Sequence, residues 1–325
     1  IFFRCTMADQ SKVVLLGAEH DEMIHDMQMD YHGRLLATCS SDHTIKIFTP
    51  QPNGGHPYQL IQTLKGHDGP VWAIGWAHPK FGGNLLASCS YDHKIIIWKE
   101  TNQNHWAKHY EHNKHNGSVN AVSWGPHELG LCLAAASSDG TVSILYNSED
   151  QWSDHRIDAH VGGCTAVSWA PYLPPGSILN AAHGKPPNST RRIVSAGCDH
   201  LVKIWRFQER AAALGQNSWE LESTLDEHTD WVRDVKWAGN LGLPFTHIAS
   251  CGQDGKVIVW QQKCDGEKWE SQVIQTTDKP QWRVSWSEMG NILAVSGAGN
   301  EASVWRQTQK GVWKKMSNLV PPEST

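Results

Sequence analysis

The twelve residues ASCGQDGKVIVW (249–260) decide the fold of this chain. Asp254 and Gly255 mark a tight turn, because both residue types tolerate the backbone angles that such a turn requires. The β-branched run 257–259 that follows is typical of a strand. The stretch therefore predicts a strand, a tight turn and a second strand. Ser250, Asp254 and the upstream His228 also look like the nucleophile, acid and base of a catalytic site.

The same pattern recurs along the 325 residues. Aligned on their last residue, the six copies are ATCSSDHTIKIF (37–48), ASCSYDHKIIIW (87–98), AAASSDGTVSIL (134–145), VSAGCDHLVKIW (194–205), ASCGQDGKVIVW (249–260) and AVSGAGNEASVW (294–305). A six-residue strand, usually ending in Trp, precedes most copies, and an isolated Trp opens a polar strand after most of them. Successive turn Asp residues are 47 to 60 residues apart. Four strands per unit at this period are typical of a β-propeller.

A histidine precedes the first strand of most units by four residues, and the pair Gly66-His67 begins the second unit. In these features the units resemble WD40 repeats from Ile24 to about Leu319. The resemblance implies a buried, hydrogen-bonded tetrad in each complete unit, formed by this His, a Ser of the second strand, the turn Asp and the Trp of the third strand. The tetrads expected are His67-Ser88-Asp92-Trp98, His160-Ser195-Asp199-Trp205 and His228-Ser250-Asp254-Trp260.

Three copies of one residue set argue against catalysis, because an active site needs a single constellation in a single cleft. We therefore predict that the chain is not an enzyme and uses no cofactor. The sequence has no CxxC pair, so we expect no metal site. Cys39, Cys89 and Cys251 occupy one equivalent position of the repeat, which favours small buried side chains in a reducing compartment.

Three units depart from the tetrad. The first offers His20-Thr38-Asp42 but lacks the final Trp. The substituted positions are Phe48 in unit one, Ala135 and Leu145 in unit three, and Asp278, Val295 and Gly299 in unit six. We expect units three and six to depend on apolar packing, and unit six to be the softest.

Six units of four strands account for the chain once GVWKKMSNLV (311–320) supplies the last strand. The domain organisation predicted is a leader (1–11), one propeller (12–319) with a Pro-rich insertion loop (171–190), and a disordered tail (320–325). One apolar run, KVVLLG (12–17), is left over. Its residues Val13, Val14, Leu15 and Leu16 are candidates for a partner seam, because an unpaired strand edge can accept a strand from another chain. The alternative is that this run closes blade six or pads the seam.

Several runs outside the general repeat are more specific: HDEMIHDMQMDYHGRLLATCSSD (20–42), GPVWAIGWAHPKFGGNLLASCSYD (69–92), GCTAVSWAP (163–171) and DWVRDVKWAGNLGLP (230–244). They closely resemble the small WD40 subunits of the COPII outer coat, which are shared with the nuclear pore Y-complex. This resemblance implies a non-catalytic scaffold on the cytosolic side of the ER, on COPII vesicles and at the nuclear pore. It also implies a six-bladed propeller, open between blades one and six. The resemblance further implies that a partner inserts a blade that completes this propeller. The partner is the large outer-coat subunit or an α-helical nucleoporin.

Two alternatives stay open. A paralogous nucleoporin-type subunit of the Y-complex and of a nutrient-signalling complex shares the HD-x-I-HD opening, and a peptide-reading WD40 module would show basic or aromatic residues around the central channel. The formal net charge is −5, so there is no chain-wide basic footprint for nucleic acid. No apolar run is long enough to span a bilayer, and membrane association is expected only through the coat.

Overall fold

The computed structural model describes residues 19–51, 58–173, 191–209, 218–240, 245–299, 301–308 and 311–319. These residues form six antiparallel sheets of four strands each, which confirms the predicted six-bladed all-β propeller. The strands, four per blade in chain order, are β1 Ile24–Met29, β2 Leu36–Ser40, β3 Thr44–Pro50, β4 Tyr58–Lys65; β5 Val71–Trp76, β6 Leu85–Ser90, β7 Ile95–Asn102, β8 His105–His112; β9 Val119–Trp124, β10 Cys132–Ser137, β11 Thr141–Ser148, β12 Gln151–Asp158; β13 Cys164–Trp169, β14 Arg192–Gly197, β15 Val202–Gln208, β16 Ser218–Leu225; β17 Val232–Trp237, β18 Thr246–Gly252, β19 Lys256–Gln262, β20 Glu270–Thr276; β21 Gln281–Trp286, β22 Ile292–Gly297, β23 Ala302–Gln307 and β24 Trp313–Leu319.

Each blade is a meander in which consecutive strands pair. The turn between its second and third strands needs a residue with positive φ. His43, His93 and His200 supply it with φ between 66° and 70°, and Gly140 and Gly255 supply it in two other blades. These are the Asp-His and Asp-Gly pairs of the repeat, so the local turn chemistry and the fold agree.

The first strand of each blade lies innermost and packs against the first strand of the next blade from β1 through to β21. Most of the apolar core lies between neighbouring blades. One cluster joins blades one and two around Ile47 and Leu86, and another joins blades five and six around Val259 and Leu293. The core is therefore a series of blade-to-blade interfaces, and each blade depends on its neighbours.

The predicted last strand of unit six is present as β24. Several predictions fall outside the described residues: the leader (1–11), the candidate seam residues Val13, Val14, Leu15 and Leu16, most of the insertion (174–190) and the tail (320–325). Within the described ranges, no helix has the length and apolar character needed to cross a membrane.

Candidate functional site

The three predicted tetrads are joined by hydrogen bonds in blades two, four and five. In blade two, His67 lies 2.8 Å from both Asp92 (Nδ1 to Oδ2) and Ser88 (Nε2 to Oγ), and the Trp98 indole donates to Ser88 Oγ at 2.9 Å. The equivalent contacts in blades four and five measure 2.7 to 3.1 Å. The carboxylate fixes the imidazole tautomer: Nδ1–H donates to Asp, Nε2 accepts from Ser, and Ser accepts from Trp.

Each tetrad Asp also accepts backbone N–H groups at the turn. Asp254 accepts from Thr229 N at 2.9 Å and from Lys256 N at 3.0 Å. Burial alone would raise the pKa of Asp254, but the hydrogen bonds from His228 and from these backbone groups outweigh it and lower the pKa to about 2. Asp92 and Asp199 behave in the same way with His67 and His160, and their pKa values also fall to about 2. The carboxylates are thus held ionised inside the turns.

Blades one and three keep only part of the tetrad. In blade one, His20 bonds to Asp42 at 2.7 Å and to Thr38 at 2.8 Å, with Phe48 at the Trp position. In blade three, His115 Nδ1 lies 3.2 Å from Asp139, but His115 Nε2 is buried without a hydrogen bond because Ala135 replaces the Ser. Blade three therefore packs an imidazole with one unsatisfied nitrogen.

Blade six differs from the prediction that it depends on apolar packing. Its Trp305 indole donates to Ser303 Oγ at 2.9 Å, and Ser303 Oγ donates to Gln275 Oε1 at 3.2 Å. Gln275 in turn donates to Gln281, whose amide donates to Thr277 Oγ1 at 2.9 Å. Thr277 precedes β21 by four residues and so occupies the His position, which the sequence alignment assigned wrongly to Asp278. A different polar network, which includes Gln275 of blade five, has replaced the tetrad in this blade.

Hydrogen bonds also join neighbouring blades. At four of the junctions a Trp that ends the inner strand donates its indole N–H to a carbonyl oxygen of the preceding blade, at 2.8 to 3.0 Å. These donors are Trp76, Trp124, Trp169 and Trp286, and their acceptors are Gln28, Gly75, Ser123 and Lys236. Between blades four and five, Trp237 N donates to Ser168 Oγ and Thr165 Oγ1 donates to Val232 O.

The junction of blades six and one lacks these features among the described residues. Met29 stands at the position of the donor Trp and has no N–H to offer. No core cluster contains residues of both blades, and β21 and β1 lack the close packing of the other inner-strand pairs. Instead, Leu36 and Phe48 of blade one form a small cluster with Met27, Met29 and Tyr58 on the face turned away from blade two. By alternation, the face of blade six turned towards blade one carries Ile292, Ala294, Ser296 and Val304, because Leu293 and Val295 pack against blade five. The buried hydroxyl of Ser296 has no hydrogen-bond partner.

Electrostatic interactions of a buried arginine reach across this junction. Arg283 of β21 lies between Asp234 of blade five and Asp26 of blade one. Burial opposes the charge of Arg283, but the two carboxylates outweigh it and raise the pKa. Asp26 and Asp234 each also accept a backbone N–H of the next blade, from Ile74 and Val284 respectively. The inner ring is therefore ionic at blades five, six and one, while Ala occupies the same position in blades two, three and four.

The comparisons with known proteins agree on one family. The model of the WD domain, G-beta repeat, matches residues 12–49, 58–99, 107–144 and 219–261. The protein transport protein sec13 of Emericella nidulans is 44% identical over 94% of this chain and 98% of its own length. The SEC13 homolog of Drosophila melanogaster is 44% identical over 93% of this chain and 82% of its own, and the SEC13 of Mycosarcoma maydis is 39% identical over 94% of both. The chain belongs to the Sec13 family.

Proteins of the Sec13 and WD40 families are non-enzymatic scaffolds, so family membership confirms the prediction that the chain is not an enzyme. The cysteines of the repeat are free and fully buried, and burial raises the pKa of the Cys39, Cys89 and Cys251 thiols. No group of three or more metal-ligating side chains comes together in the described ranges.

Sequence reasoning overlooked the junction residues of this Sec13-family chain. The signal was present: Met29, Phe48 and Tyr58 stand where blade two has Trp76, Trp98 and Trp106. Read one at a time, each is an ordinary apolar replacement. Together they remove all three indoles from the face of blade one that meets blade six.

Proposed function

We propose that this chain is the structural scaffold subunit of the COPII outer coat in ER-to-Golgi transport, and that it binds the large outer-coat subunit by accepting an inserted blade between blades six and one. The relatives named as protein transport proteins support the first part. The observation that carries the second part is the junction itself. It lacks the indole-to-carbonyl hydrogen bond and the shared core that join blades one to four and five to six.

The two faces of this junction suit an added sheet. Blade one offers Leu36, Phe48 and two methionines, which are apolar and, in the case of Met, adaptable in shape. Blade six offers the apolar side chains of Ile292, Ala294 and Val304 on the facing side. Burying such surfaces stabilises a complex by about 25 cal/mol per Å² of apolar area. The unsatisfied Ser296 hydroxyl is positioned to receive a hydrogen bond from a partner.

The same junction is the proposed site for an α-helical nucleoporin of the Y-complex and for a subunit of a nutrient-signalling complex. Because they would compete for one surface, these partners bind one at a time. The chain would then lie on the cytosolic side of the ER membrane, on COPII vesicles and at the nuclear pore, held there by its partners.

The test is Met29→Asp, which places a charge on the blade-one face of the junction. We expect it to abolish co-purification with the large outer-coat subunit, since an unpaired carboxylate is costly in an apolar interface. Leu221→Asp is the matched control, because Leu221 is 50% exposed on the outer strand of blade four. Circular dichroism verifies that both variants fold. Unchanged binding by folded Met29→Asp, or a melting temperature that the partner's blade segment does not raise, would contradict the proposal.

A further inference from the structure

An arginine held between two exposed tryptophans lies at one end of the ring. The guanidinium carbon of Arg233 is 5.1 Å from the ring centroid of Trp231 and 5.1 Å from that of Trp282. Trp231 and Arg233 flank the start of β17, and Trp282 lies in β21 of the next blade. Trp231 and Trp282 are 45% and 41% exposed, so both large apolar residues face solvent in part. Two exposed indoles at one spot are costly in water and mark an interaction surface.

The guanidinium is fixed but not neutralised. Its Nε and Nη2 both donate to Gln253 Oε1, at 2.9 and 2.6 Å. Gln253 is neutral, and in the described ranges no carboxylate forms an ion pair with Arg233. Arg206, by contrast, pairs with both Glu222 and Asp265. Both indoles lie within cation–π distance of the Arg233 guanidinium, and Gln253 occupies its Nε–Nη2 edge, so the Nη1–Nη2 edge is what remains for a ligand.

Neighbouring blades add apolar and aromatic side chains at the same end. Their positions are fixed by one repeated backbone hydrogen bond, in which Gln253 N donates to Trp231 O, Ser41 N to Met23 O and Tyr91 N to Pro70 O. Met23 is 71% exposed and Tyr91 is 59% exposed. This residue content, rich in Trp, Tyr and Arg, is that of binding hot spots.

We propose that this end of the propeller binds an extended peptide carrying an acidic side chain. The carboxylate accepts hydrogen bonds from the Nη1–Nη2 edge of Arg233, and an adjacent apolar side chain covers the exposed faces of Trp231 and Trp282. The charge argument selects an anionic partner, because Arg233 is a preorganised cation with no counter-charge of its own. A phosphorylated serine presents the same acceptor chemistry. This surface is distinct from the junction proposed above, so the chain would hold two partners at once.

The experiment uses four fluorescent peptides of about ten residues that are identical except at one central position, flanked by leucines. That position carries Glu, phosphoserine, Gln or Lys. Binding to the intact chain is followed by fluorescence anisotropy. We expect the Glu or the phosphoserine peptide to bind at least about tenfold more tightly than the Gln and Lys peptides. Which of the two binds more tightly identifies the natural anion as a carboxylate or a phosphate.

Variants then locate the site. Arg233→Gln removes the charge and should weaken the tighter anionic peptide about tenfold or more, while Trp282→Ala removes one indole and should weaken it similarly. Arg306→Gln is the matched control, because Arg306 is an exposed arginine of blade six at a distance from this surface. Equal weakening by Arg306→Gln, unchanged binding by Arg233→Gln, or no preference for the anionic peptides would each overturn the proposal.

The result is separable from the junction hypothesis. Met29→Asp should leave the acidic peptide bound, and Arg233→Gln should leave the large outer-coat subunit bound. If one substitution abolishes both, the end surface is not an independent site and the proposal fails.

Discussion

At the scale of single residues, the tetrads show how similar atoms can make a catalytic site or a structural one. His228, Ser250 and Asp254 have the hydrogen-bond order of a catalytic triad, yet Trp260 donates to the serine and covers it. Ser250 is fully buried, so no substrate reaches its hydroxyl. The low pKa of Asp254 therefore reflects a structural role. Hydrogen bonds stabilise its ionised carboxylate, which in turn stabilises the turn between β18 and β19.

Replacing Asp254 with Ala tests that role. The change removes the acceptor for His228, Thr229 N and Lys256 N, so we expect the free energy of unfolding to fall by about 1–3 kcal/mol. Urea denaturation gives the value. Asp158→Ala, at an exposed position of blade three, is the control and should change stability by less than about 0.5 kcal/mol. Binding of the large outer-coat subunit should persist, and its loss in folded protein would assign Asp254 a direct role in recognition.

His112 contributes to the pH dependence of stability. It is 2% exposed, and neither ring nitrogen has a hydrogen bond. Burial and then neighbouring His115 lower its pKa from 6.5 to about 4, against the opposing effect of Asp154. The unfolded chain therefore takes up this proton first as the pH falls. The contribution of His112 to stability is complete above about pH 6.5 and is lost as the pH falls towards 4.

Between pH 7 and pH 4.5, the free energy of unfolding of the variant His112→Phe should fall by roughly 2–3 kcal/mol less than that of the wild type. The measurement is the free energy of unfolding from urea titrations between pH 7 and pH 4.5. Exposed His109→Phe should leave the pH dependence as it is in the wild type. The tetrad carboxylates do not interfere, because their pKa values fall from 3.8 to about 2 and they lose stability only below that window. Identical pH profiles for His112→Phe and wild type would remove His112 from this explanation.

At the scale of elements, each blade solves the same packing problem with different side chains. Blade three leaves His115 Nε2 without a partner because Ala135 stands where blade two has Ser88. A hydroxyl at residue 135 would lie on the face of β10 that meets blade two, beside this nitrogen. Blade three therefore lacks one hydroxyl group that would complete its hydrogen-bond network.

Ala135→Ser should stabilise the chain by about 1 kcal/mol, because it satisfies a buried acceptor at little cost in volume. Ala134→Ser is the matched control, since Ala134 is equally buried but faces blade four and offers its hydroxyl no such partner. That control should destabilise the chain. Thermal unfolding of both variants gives the comparison, and a loss of stability in Ala135→Ser would show that the space beside His115 is filled.

The sequence predicts the elements well because the repeat is local. Turn chemistry and alternation within twelve residues determine each hairpin, and four such strands determine a blade. The network of blade six was not predictable in this way, since Ser303, Gln275 and Gln281 come from three strands and match no motif. The stack of Trp231, Arg233 and Trp282 joins two blades, so its geometry depends on the curvature of the ring, which no local pattern records.

At the scale of the whole molecule, ring closure is uneven. Hydrogen bonds from Trp indoles join most neighbouring blades. Between blades six and one, Arg283 instead interacts electrostatically with Asp26. An apolar interface resists opening through its buried area, and the junction of blades six and one has no core cluster that contains residues of both blades. Opening should therefore begin at this junction, which is where we propose that a partner inserts its blade.

Met29→Trp tests this asymmetry by adding the missing indole. Met29 packs with Leu36 and Tyr58 as Trp76 packs with Leu86 and Trp106, so the new side chain has an equivalent environment. We expect its N–H to donate to a carbonyl oxygen of β21, as Trp76 donates to Gln28 O. We expect the isolated chain to gain about 1 kcal/mol in stability. We also expect weaker binding of the large outer-coat subunit, because the inserted blade must displace this contact.

The control is Met23→Trp, which adds an indole to blade one at the opposite end of β1. It should neither stabilise the chain nor weaken partner binding. Tighter partner binding by Met29→Trp would mean that the partner packs on the junction without separating its faces.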